Sequence, residues 1–418
     1  MKYKTQPVRG THDYLPEEKK HYNNILSKAL KVAEVYGYKF METPIFEFSE
    51  VFKKSLGNSS DIVSKEMYTF KDRSEEEITL RPEGTAGVLR AIISNGLTHQ
   101  MPFRAFYSGP MFRYERPQKG RLRQFHQIGI ELIGSLSPEA DIEVIACGCR
   151  ILEELGIRQD TKLEINSLGD YDDRKNYKNA LLQYLNSYKD KLSIDSINRL
   201  EKNPLRILDS KDNDDINIIK NAPIIDDYLG QNSKTIFNEI KRGLESLNIK
   251  FYLNPKLVRG LDYYGQTTFE FTTEKLGSQG TIMAGGRYNN LMKEMGGPDL
   301  AGIGWAAGIE RLMLLIQPLI DDNKLVSVIP IESKYNNIAF KLTEDLRKNF
   351  INTDIGFSGN IKKRLSYANK IKSKFAVIIG EEEANQSAAL VKNLDTGKQI
   401  KIKFNELSKY LKKILQLK

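Results

Sequence analysis

The chain has 418 residues, 40% hydrophobic and 28% charged, with a formal net charge of +9. That length allows two or three domains, and the composition is that of a folded globular protein rather than a disordered or fibrous one. A mean hydropathy of -0.46 and no apolar run near ~18 residues argue against a membrane-spanning helix. The opening MKYKTQPVRG has neither the apolar stretch of a secretory signal nor the Arg/Ser-rich amphipathicity of a transit peptide. Cys147 and Cys149 are too few and too close for a disulfide framework or a four-ligand zinc site. A soluble, cytoplasmic protein is the expectation.

In chain order, Ile25, Leu26, Ala29, Leu30, Val32 and Ala33 recur at helical spacing and predict a helix over His21–Tyr36, stopped by Gly37. Tyr38 to Pro44 reads as a strand entering a turn. Phe103–Arg113 and Gln124–Ile133 read as strands joined by a charged loop, followed by a helix over Pro138–Leu155 and a strand over Lys162–Asn166. From about Leu168 to Leu247 the chain turns Asp/Asn-rich, with Leu181, Leu182, Leu185, Tyr188 and Leu192 marking an amphipathic helix. That predicts a mostly helical insertion, at about 168–248, in a β-rich body. Strands resume at Lys250–Leu253 and Thr267–Thr273, and glycine is dense from Gly277 to Gly308.

The last quarter alternates. Strands are expected at Val326–Ile331, Ile351–Phe357 and Phe375–Gly380, helices around Ile338–Leu346 and over Ile361–Lys372. Two more strands flank the turn Asp395–Lys398 before a C-terminal helix. This predicts a small α/β domain at 326–418 with a largely parallel or mixed sheet, separated near Asp321–Asn323 from a larger domain at 1–325. Residues 326–418 hold 18 Lys+Arg against 9 Asp+Glu, which is the whole net surplus of the chain; residues 1–325 balance. A basic module on a neutral body points to a polyanion, nucleic acid first. The alternative is a set of solvated Lys-rich helical faces, and the run Lys362-Lys363-Arg364 poses that choice in one helix.

Several familiar devices are missing from the sequence. There is no G-x-x-x-x-G-K-[ST], and Gly302-Ile-Gly304-Trp-Ala-Ala-Gly308 is one residue too long for a dinucleotide fingerprint. The four histidines are scattered, and no Gly-x-Ser-x-Gly occurs. What stands out is arginine in short polar-studded strands. Arg113 ends one strand; on the return strand alternation puts Phe125, Gln127, Gly129 and Glu131 on one face and Ile128, Ile130 and Leu132 on the other. That pattern suits a site floor as well as an ordinary sheet edge. Arg259-Gly-Leu-Asp262-Tyr263-Tyr264 offers a guanidinium beside two phenols, for an anion or for a structural Arg–Asp pair. Ala301 to Arg311 combines small residues with an arginine on the next helical turn, and Glu83 and Thr85 present a carboxylate and a hydroxyl fit for an ammonium group.

Together these pieces resemble a class II aminoacyl-tRNA synthetase, and specifically the histidyl-tRNA synthetase family. Arg9–Pro16 is similar to that family's opening, the helix-strand ending at Pro44 to motif 1, Arg104–Ile133 to motif 2 and Gly302–Arg311 to motif 3. The Arg259–Tyr264 and Ala284–Tyr288 runs resemble the two signatures peculiar to the histidine enzymes. The resemblance spans nearly the whole chain. It implies an α+β fold: an antiparallel-sheet catalytic core with a helical insertion, plus a C-terminal α/β anticodon-binding domain.

The implied activity is ATP-dependent histidylation of tRNA through histidyl-adenylate, with Mg2+ on the triphosphate and no protein metal site. By the resemblance Arg113 and Arg259 are catalytic, Arg113 on the α-phosphate and Arg259 bridging it and the histidine carboxylate. Glu83, Thr85, Gln127, Glu131, Arg259, Tyr263, Tyr264 and Tyr288 bind histidine; Arg113, Glu115, Arg121, Phe125 and Arg311 bind ATP. Arg116 and Gln118 meet the acceptor end of histidine tRNA, and the basic module meets its anticodon. A homodimer through the N-terminal helix-strand region is also implied. Rivals within the resemblance are a regulatory paralogue of a phosphoribosyltransferase, a domain sensing uncharged tRNA, and a synthetase for glycine, threonine or proline.

Overall fold

The structure, a computed structural model, describes residues 5–57, 60–259, 263–318, 324–356 and 358–416. It forms two compact units, Met1–Pro318 and Leu319–Lys418. The predicted boundary Asp321–Asn323 lies outside the described residues.

The first unit begins α1 (Pro16–Val35), β1 (Lys39–Met41), β2 (Phe46–Phe48), α2 (Ser49–Leu56), β3 (Tyr68–Lys71), β4 (Glu77–Leu80) and α3 (Thr85–Ser94). It continues β5 (Phe103–Phe112), β6 (Gln124–Ile133), α4 (Pro138–Glu154), β7 (Lys162–Ser167), α5 (Tyr171–Asn186), α6 (Ile194–Lys202), α7 (Asn213–Ile219) and α8 (Gln231–Ser246). It ends β8 (Tyr252–Leu253), β9 (Gly265–Thr272), β10 (Thr281–Tyr288), α9 (Leu291–Glu294), β11 (Gly302–Gly308) and α10 (Ile309–Leu315). An eight-stranded sheet in the order β1-β5-β6-β11-β10-β9-β7-β8 is antiparallel except at its two edge pairs, and β2-β4-β3 form a small second sheet. The class is α+β.

The α1 helix starts earlier than its apolar spacing predicts, because Pro16 fits the first helical position and Glu17 and Glu18 suit the positive end of the helix dipole. Its buried Tyr22, Ile25, Ala29, Val32 and Ala33 join Phe106, Ile128, Ile130 and Leu132 of the β5–β6 hairpin in the main core. The opposite face of β6 is kept low by glycine: a Cβ at Gly129 would strike the Tyr107 ring and the Trp305 carbonyl. The glycine-dense stretch forms the central strands β10 and β11, where Gly285 and Gly304 permit close backbone approach.

The predicted insertion is not one body. Tyr177, Leu181, Leu185, Leu200, Ile207 and Ile218 of the α5–α7 region share a core of their own. Phe237, Ile240 and Leu244 of α8 instead pack into the main core. Periodicity identifies an apolar face but not the body it meets.

The second unit runs β12 (Val326–Pro330), α11 (Asn336–Lys348), β13 (Thr353–Ile355), α12 (Ile361–Lys370), β14 (Phe375–Ile379), α13 (Glu381–Asn385), β15 (Ala388–Asn393), β16 (Gln399–Lys403) and α14 (Phe404–Ile414). The sheet order is β13-β12-β14-β15-β16, parallel among the first three strands and antiparallel beyond. Leu342 and Leu346 of α11 and Leu407 and Leu411 of α14 pack with Val326 and Val328. Ala368 of α12 packs on the other face with Ile329, Ala376 and Ile378. The predicted strand Ile351–Phe357 shrinks to Thr353–Ile355, and Phe357 lies outside the described residues. Among the described residues no helix is long and apolar enough to cross a membrane.

Candidate active site

The open face of β6 floors a cleft of about 890 Å³. Phe125 and Gln127 come from the floor, Arg113, Glu115 and Arg121 from the β5–β6 connection, and Glu83 and Thr85 from the head of α3. Arg259, Tyr263 and Tyr264 enter from the segment before β9, and Arg311 from α10. These residues are distant in sequence, and the sheet brings them together. Gly260, Leu261 and Asp262 of the Arg259–Tyr264 run lie outside the described residues.

Each arginine is anchored at one edge. Arg113 Nε donates to the Pro82 carbonyl at 2.9 Å, and its guanidinium lies 5.3 Å from the centroid of Phe125. Arg121 pairs with Glu115. Arg311 Nε donates to the Gly120 carbonyl at 3.1 Å, and Nη1 to the Thr281 carbonyl. Arg259 pairs through Nη1 with Glu270, whose other oxygen accepts from Thr281 Oγ1 at 2.9 Å. Burial works against the Arg259 charge, but Glu270 together with Tyr264 and Tyr263 more than offsets it and the guanidinium pKa is raised. Burial and then Arg121 lower that of Arg311. Among the described residues, Arg259 Nε and Gln127 Oε1 are buried without a hydrogen-bond partner. Buried donors and acceptors left open in this way are what a polar ligand satisfies.

The other end of the cleft is built from carboxylates. Glu83 accepts the backbone N–H groups of Thr85 and Ala86 at 2.6 and 2.8 Å, and burial raises its pKa. Thr85 Oγ1 donates to Glu131 Oε1 at 2.7 Å, and the Tyr288 hydroxyl to Glu131 Oε2 at 2.5 Å. Burial pushes the Glu131 pKa up to about 8 against those two hydrogen bonds. Glu131 and Tyr288 are 1% exposed and sit beneath the residues that line the cleft. Burial lifts the Tyr264 phenol to about 12 although Arg259 opposes it, and the Tyr263 ring lies 4.5 Å from that of Tyr264.

Arg116 and Gln118 are exposed on the β5–β6 loop. Gln118 lines a second, wider cleft of about 2030 Å³ with Arg199, Arg206 and Lys211 of the helical insertion; Arg116 lines neither cleft.

Three groups of partners were not visible in the sequence. Glu310 accepts from the Tyr14 hydroxyl at 2.7 Å and from the His126 backbone at 2.8 Å, with His126 Nδ1 at 3.0 Å. Burial alone would raise its pKa, but these contacts hold it below the ordinary value. Glu310 thus ties the head of α10, and Arg311 beside it, to β6. Glu270 interrupts the apolar run Phe269-Glu-Phe271, which marks an acid on a strand but not its pairing with Arg259. Arg287 of the Ala284–Tyr288 run turns away from the cleft: it pairs with buried Asp141 and donates to the Ser135 and Ser137 carbonyls at 2.7 and 3.2 Å, fixing the head of α4.

Anchored arginines above the face of an antiparallel sheet, with a carboxylate-walled end and a separate small α/β unit, define a class II aminoacyl-tRNA synthetase. Residues 10–312 match the family model for histidyl-tRNA synthetase, and residues 325–414 match that for an anticodon binding domain. A histidine–tRNA ligase of Rhodospirillum rubrum is 50% identical over 411 residues, 98% of this chain and 99% of that protein. One from Rickettsia bellii is 46% identical over 414 residues, 99% of this chain and 100% of that protein. The crystal structure of the apo histidyl-tRNA synthetase of S. aureus matches with a TM-score of 0.83 at 35% identity, covering 98% of this chain and 100% of that one. The chain belongs to the histidyl-tRNA synthetase family.

Proposed function

We infer that the protein attaches L-histidine to its cognate tRNA in two steps, using ATP and releasing AMP and pyrophosphate. The observation that carries this reading is the convergence of Arg113, Arg121, Arg259 and Arg311 on one cleft beside Glu83, Thr85 and Gln127. In the first step a histidine carboxylate oxygen attacks the α-phosphorus of ATP, and the bond to the β-phosphate oxygen breaks. Negative charge concentrates on phosphate oxygens, where fixed cations stabilise it most. Arg113 holds the α-phosphate, Arg259 spans it and the histidine carboxylate, and Arg121, now on Glu115, turns to the β- and γ-phosphates. Adenine lies between Phe125 and Arg311.

Glu83, Thr85 and Gln127 receive the α-ammonium, the open Gln127 Oε1 being the acceptor at hand. Glu131 and Tyr264 serve the two imidazole nitrogens, with Tyr263 and Tyr288 closing the pocket. Neutral imidazole has one donor and one acceptor nitrogen, and a site built for both rejects analogues lacking them by ~10⁴-fold or more. In the second step a terminal ribose hydroxyl of the tRNA takes the histidyl group and AMP leaves.

Among the described residues no group of three or more His, Cys, Asp or Glu side chains is placed to hold a metal ion. Glu83, Glu115, Glu270 and Glu310 are each engaged by protein donors. We assign Mg2+ to the triphosphate, entering with ATP as part of the substrate and neutralising charge there.

The acceptor end approaches through the wider cleft, past Arg116 and Gln118, while residues 326–418 take the anticodon side as a separate domain from 1–325. A homodimer covers the apolar surface of the N-terminal strands, where Phe40, Phe46, Phe48 and Phe70 are about half exposed. A cytoplasmic location accords with free, buried Cys147 and Cys149. The test is exchange of pyrophosphate into ATP that depends on histidine and on none of the other amino acids, followed by charging of histidine tRNA. Exchange driven equally by another amino acid, or by none, overturns the reading.

A further inference from the structure

We propose that the N-terminal end of α12 in the second unit is a phosphate-binding site for the tRNA backbone, with Arg364 as its buried fork; this rests on the tRNA-ligase reading above. The first turn of α12, Ile361-Lys362-Lys363-Arg364, carries three cations and no acid. Cations at the positive end of a helix dipole are disfavoured unless an anion is there to meet them. Two other helices show the ordinary arrangement: α1 opens with Glu17 and Glu18, α13 with Glu381, Glu382 and Glu383.

The second, independent observation is Arg364 itself. It is 7% exposed, and among the described residues Nη1 is buried with no hydrogen-bond partner. Its Nε donates to the Gly359 carbonyl at 2.9 Å, which carries the guanidinium back past the Asn360 cap to the open end of the helix. Among the described residues Asp354 Oδ2, on the preceding strand, is likewise buried without a hydrogen-bond partner. A charged donor held dry and unanswered is costly, and it is explained when a ligand supplies the acceptor.

The position supports the same conclusion. The head of α12 lies at the carboxyl ends of the parallel strands β12, β13 and β14, where open α/β sheets bind ligands. The acids at this end are engaged elsewhere: Glu332 after β12 pairs with Lys334, and after β14 Glu382 pairs with Lys401 and Glu383 accepts the Gly380 N–H. A phosphodiester suits the remaining side, because its oxygens take a planar guanidinium fork and first-turn amides together while exposed Lys362 and Lys363 screen it. Such a contact positions the tRNA without reading its sequence.

The experiment uses full-length protein and a histidine tRNA transcript, measuring direct binding across a potassium chloride series. Arg364→Gln is expected to raise Kd about five- to tenfold and to lower the slope of log Kd against log salt by about one, with Arg364→Lys intermediate. Lys362→Gln/Lys363→Gln, at exposed positions, decides the matter if Arg364→Gln does not fold. Unchanged Kd and slope in the folded variants overturn the proposal. So does loss of orthophosphate binding by calorimetry with tRNA binding intact, which would make the ligand a free phosphate. Histidine-dependent pyrophosphate exchange, expected unchanged in these variants, reports separately on the ligase reading.

Discussion

The two units hold charge in opposite ways. In the catalytic cleft nearly every charge is buried or half-buried and already answered: Arg259 by Glu270, Arg121 by Glu115, Glu131 by Thr85 and Tyr288, Glu310 by Tyr14 and His126. In the second unit the surplus is spread over the surface, with Lys362, Lys363, Lys370, Lys372, Lys398 and Lys401 all exposed. The difference follows from the tasks. Stabilising a transition state needs groups fixed before the substrate arrives, so that no reorganisation is spent at the moment of reaction. Holding RNA needs cations that displace counterions, and tolerates loose geometry. The cleft is therefore expected to respond to substitution and pH, the second unit to salt.

The largest effect is expected where an anchored cation is removed from the cleft. Arg259→His replaces a permanently charged fork with an imidazole mostly neutral at pH 7, and leaves Glu270 without its partner. Pyrophosphate exchange should fall by ~10³-fold or more, with the far-ultraviolet dichroism of the native protein retained. Near-normal exchange would remove Arg259 from the chemistry.

Next is the separation of the units. Each has its own hydrophobic core, so a chain ending before Val326 should fold and still make histidyl-adenylate. Charging of tRNA should drop by ~10²-fold or more, and its salt dependence should flatten with the phosphate contacts gone. If exchange is lost in a folded truncation, the second unit helps to build the cleft and the contrast drawn above fails. Unchanged charging with an unchanged salt slope would detach the basic surplus from tRNA.

The sequence displayed some of this and hid the rest for identifiable reasons. The β6 strand was legible because one short segment carries both faces: Ile128, Ile130 and Leu132 go to the core while Phe125 and Gln127 line the cleft. The paired helices and strands of the last quarter were legible through local period and turn chemistry. The strands β10 and β11 were not, because glycine erases the period-2 signal in Ala284-Gly-Gly and Gly302-Ile-Gly304. The allegiance of α8 to the main core depends on tertiary packing, which no window of sequence contains. Arg113, Arg259 and Arg311 stood out as residues, but that they share a cleft followed only from family resemblance. Their partners Glu270 and Glu310, and the Arg287–Asp141 strut, are pairings across more than ten to more than a hundred residues, invisible to spacing.

Beneath the cleft, Glu131 tests the proposal that histidine and nucleotide occupy different ends of it. Glu131→Gln keeps the size but leaves one acceptor oxygen where Thr85 and Tyr288 now use two, and it places an N–H against one of those donors. Loss of a buried hydrogen bond to a charged or ionisable group is worth ~1.5–3 kcal/mol, so histidine affinity should weaken ~10- to 100-fold. ATP affinity, which the proposal assigns to the arginine end, should change by less than ~3-fold. Calorimetry with each ligand alone checks this. Equal losses would mean that Glu131 shapes the whole cleft rather than the histidine end.

The smallest expected effect is on stability, and it distinguishes a buried answered carboxylate from an exposed one. Burial raises Glu131 from its ordinary 4.5 to about 8 in the folded protein. Between those values the folded state keeps a proton that the unfolded state has released, so stability falls as pH rises. The contribution is full below about 4.5 and lost as pH passes about 8. Glu83 is raised by burial too and adds to the same trend; Glu310 is lowered and contributes only at more acid pH. Without histidine, the Tm of the native protein should therefore drop by a few degrees from pH 5.5 to 8.5. In Glu131→Gln, which cannot titrate there, the drop should be smaller, whatever the variant's Tm at pH 5.5. Parallel curves for the two proteins would mean that Glu131 is already ionised throughout this range, held so by Thr85 and Tyr288. The imidazole would then meet a standing negative charge rather than one created on binding.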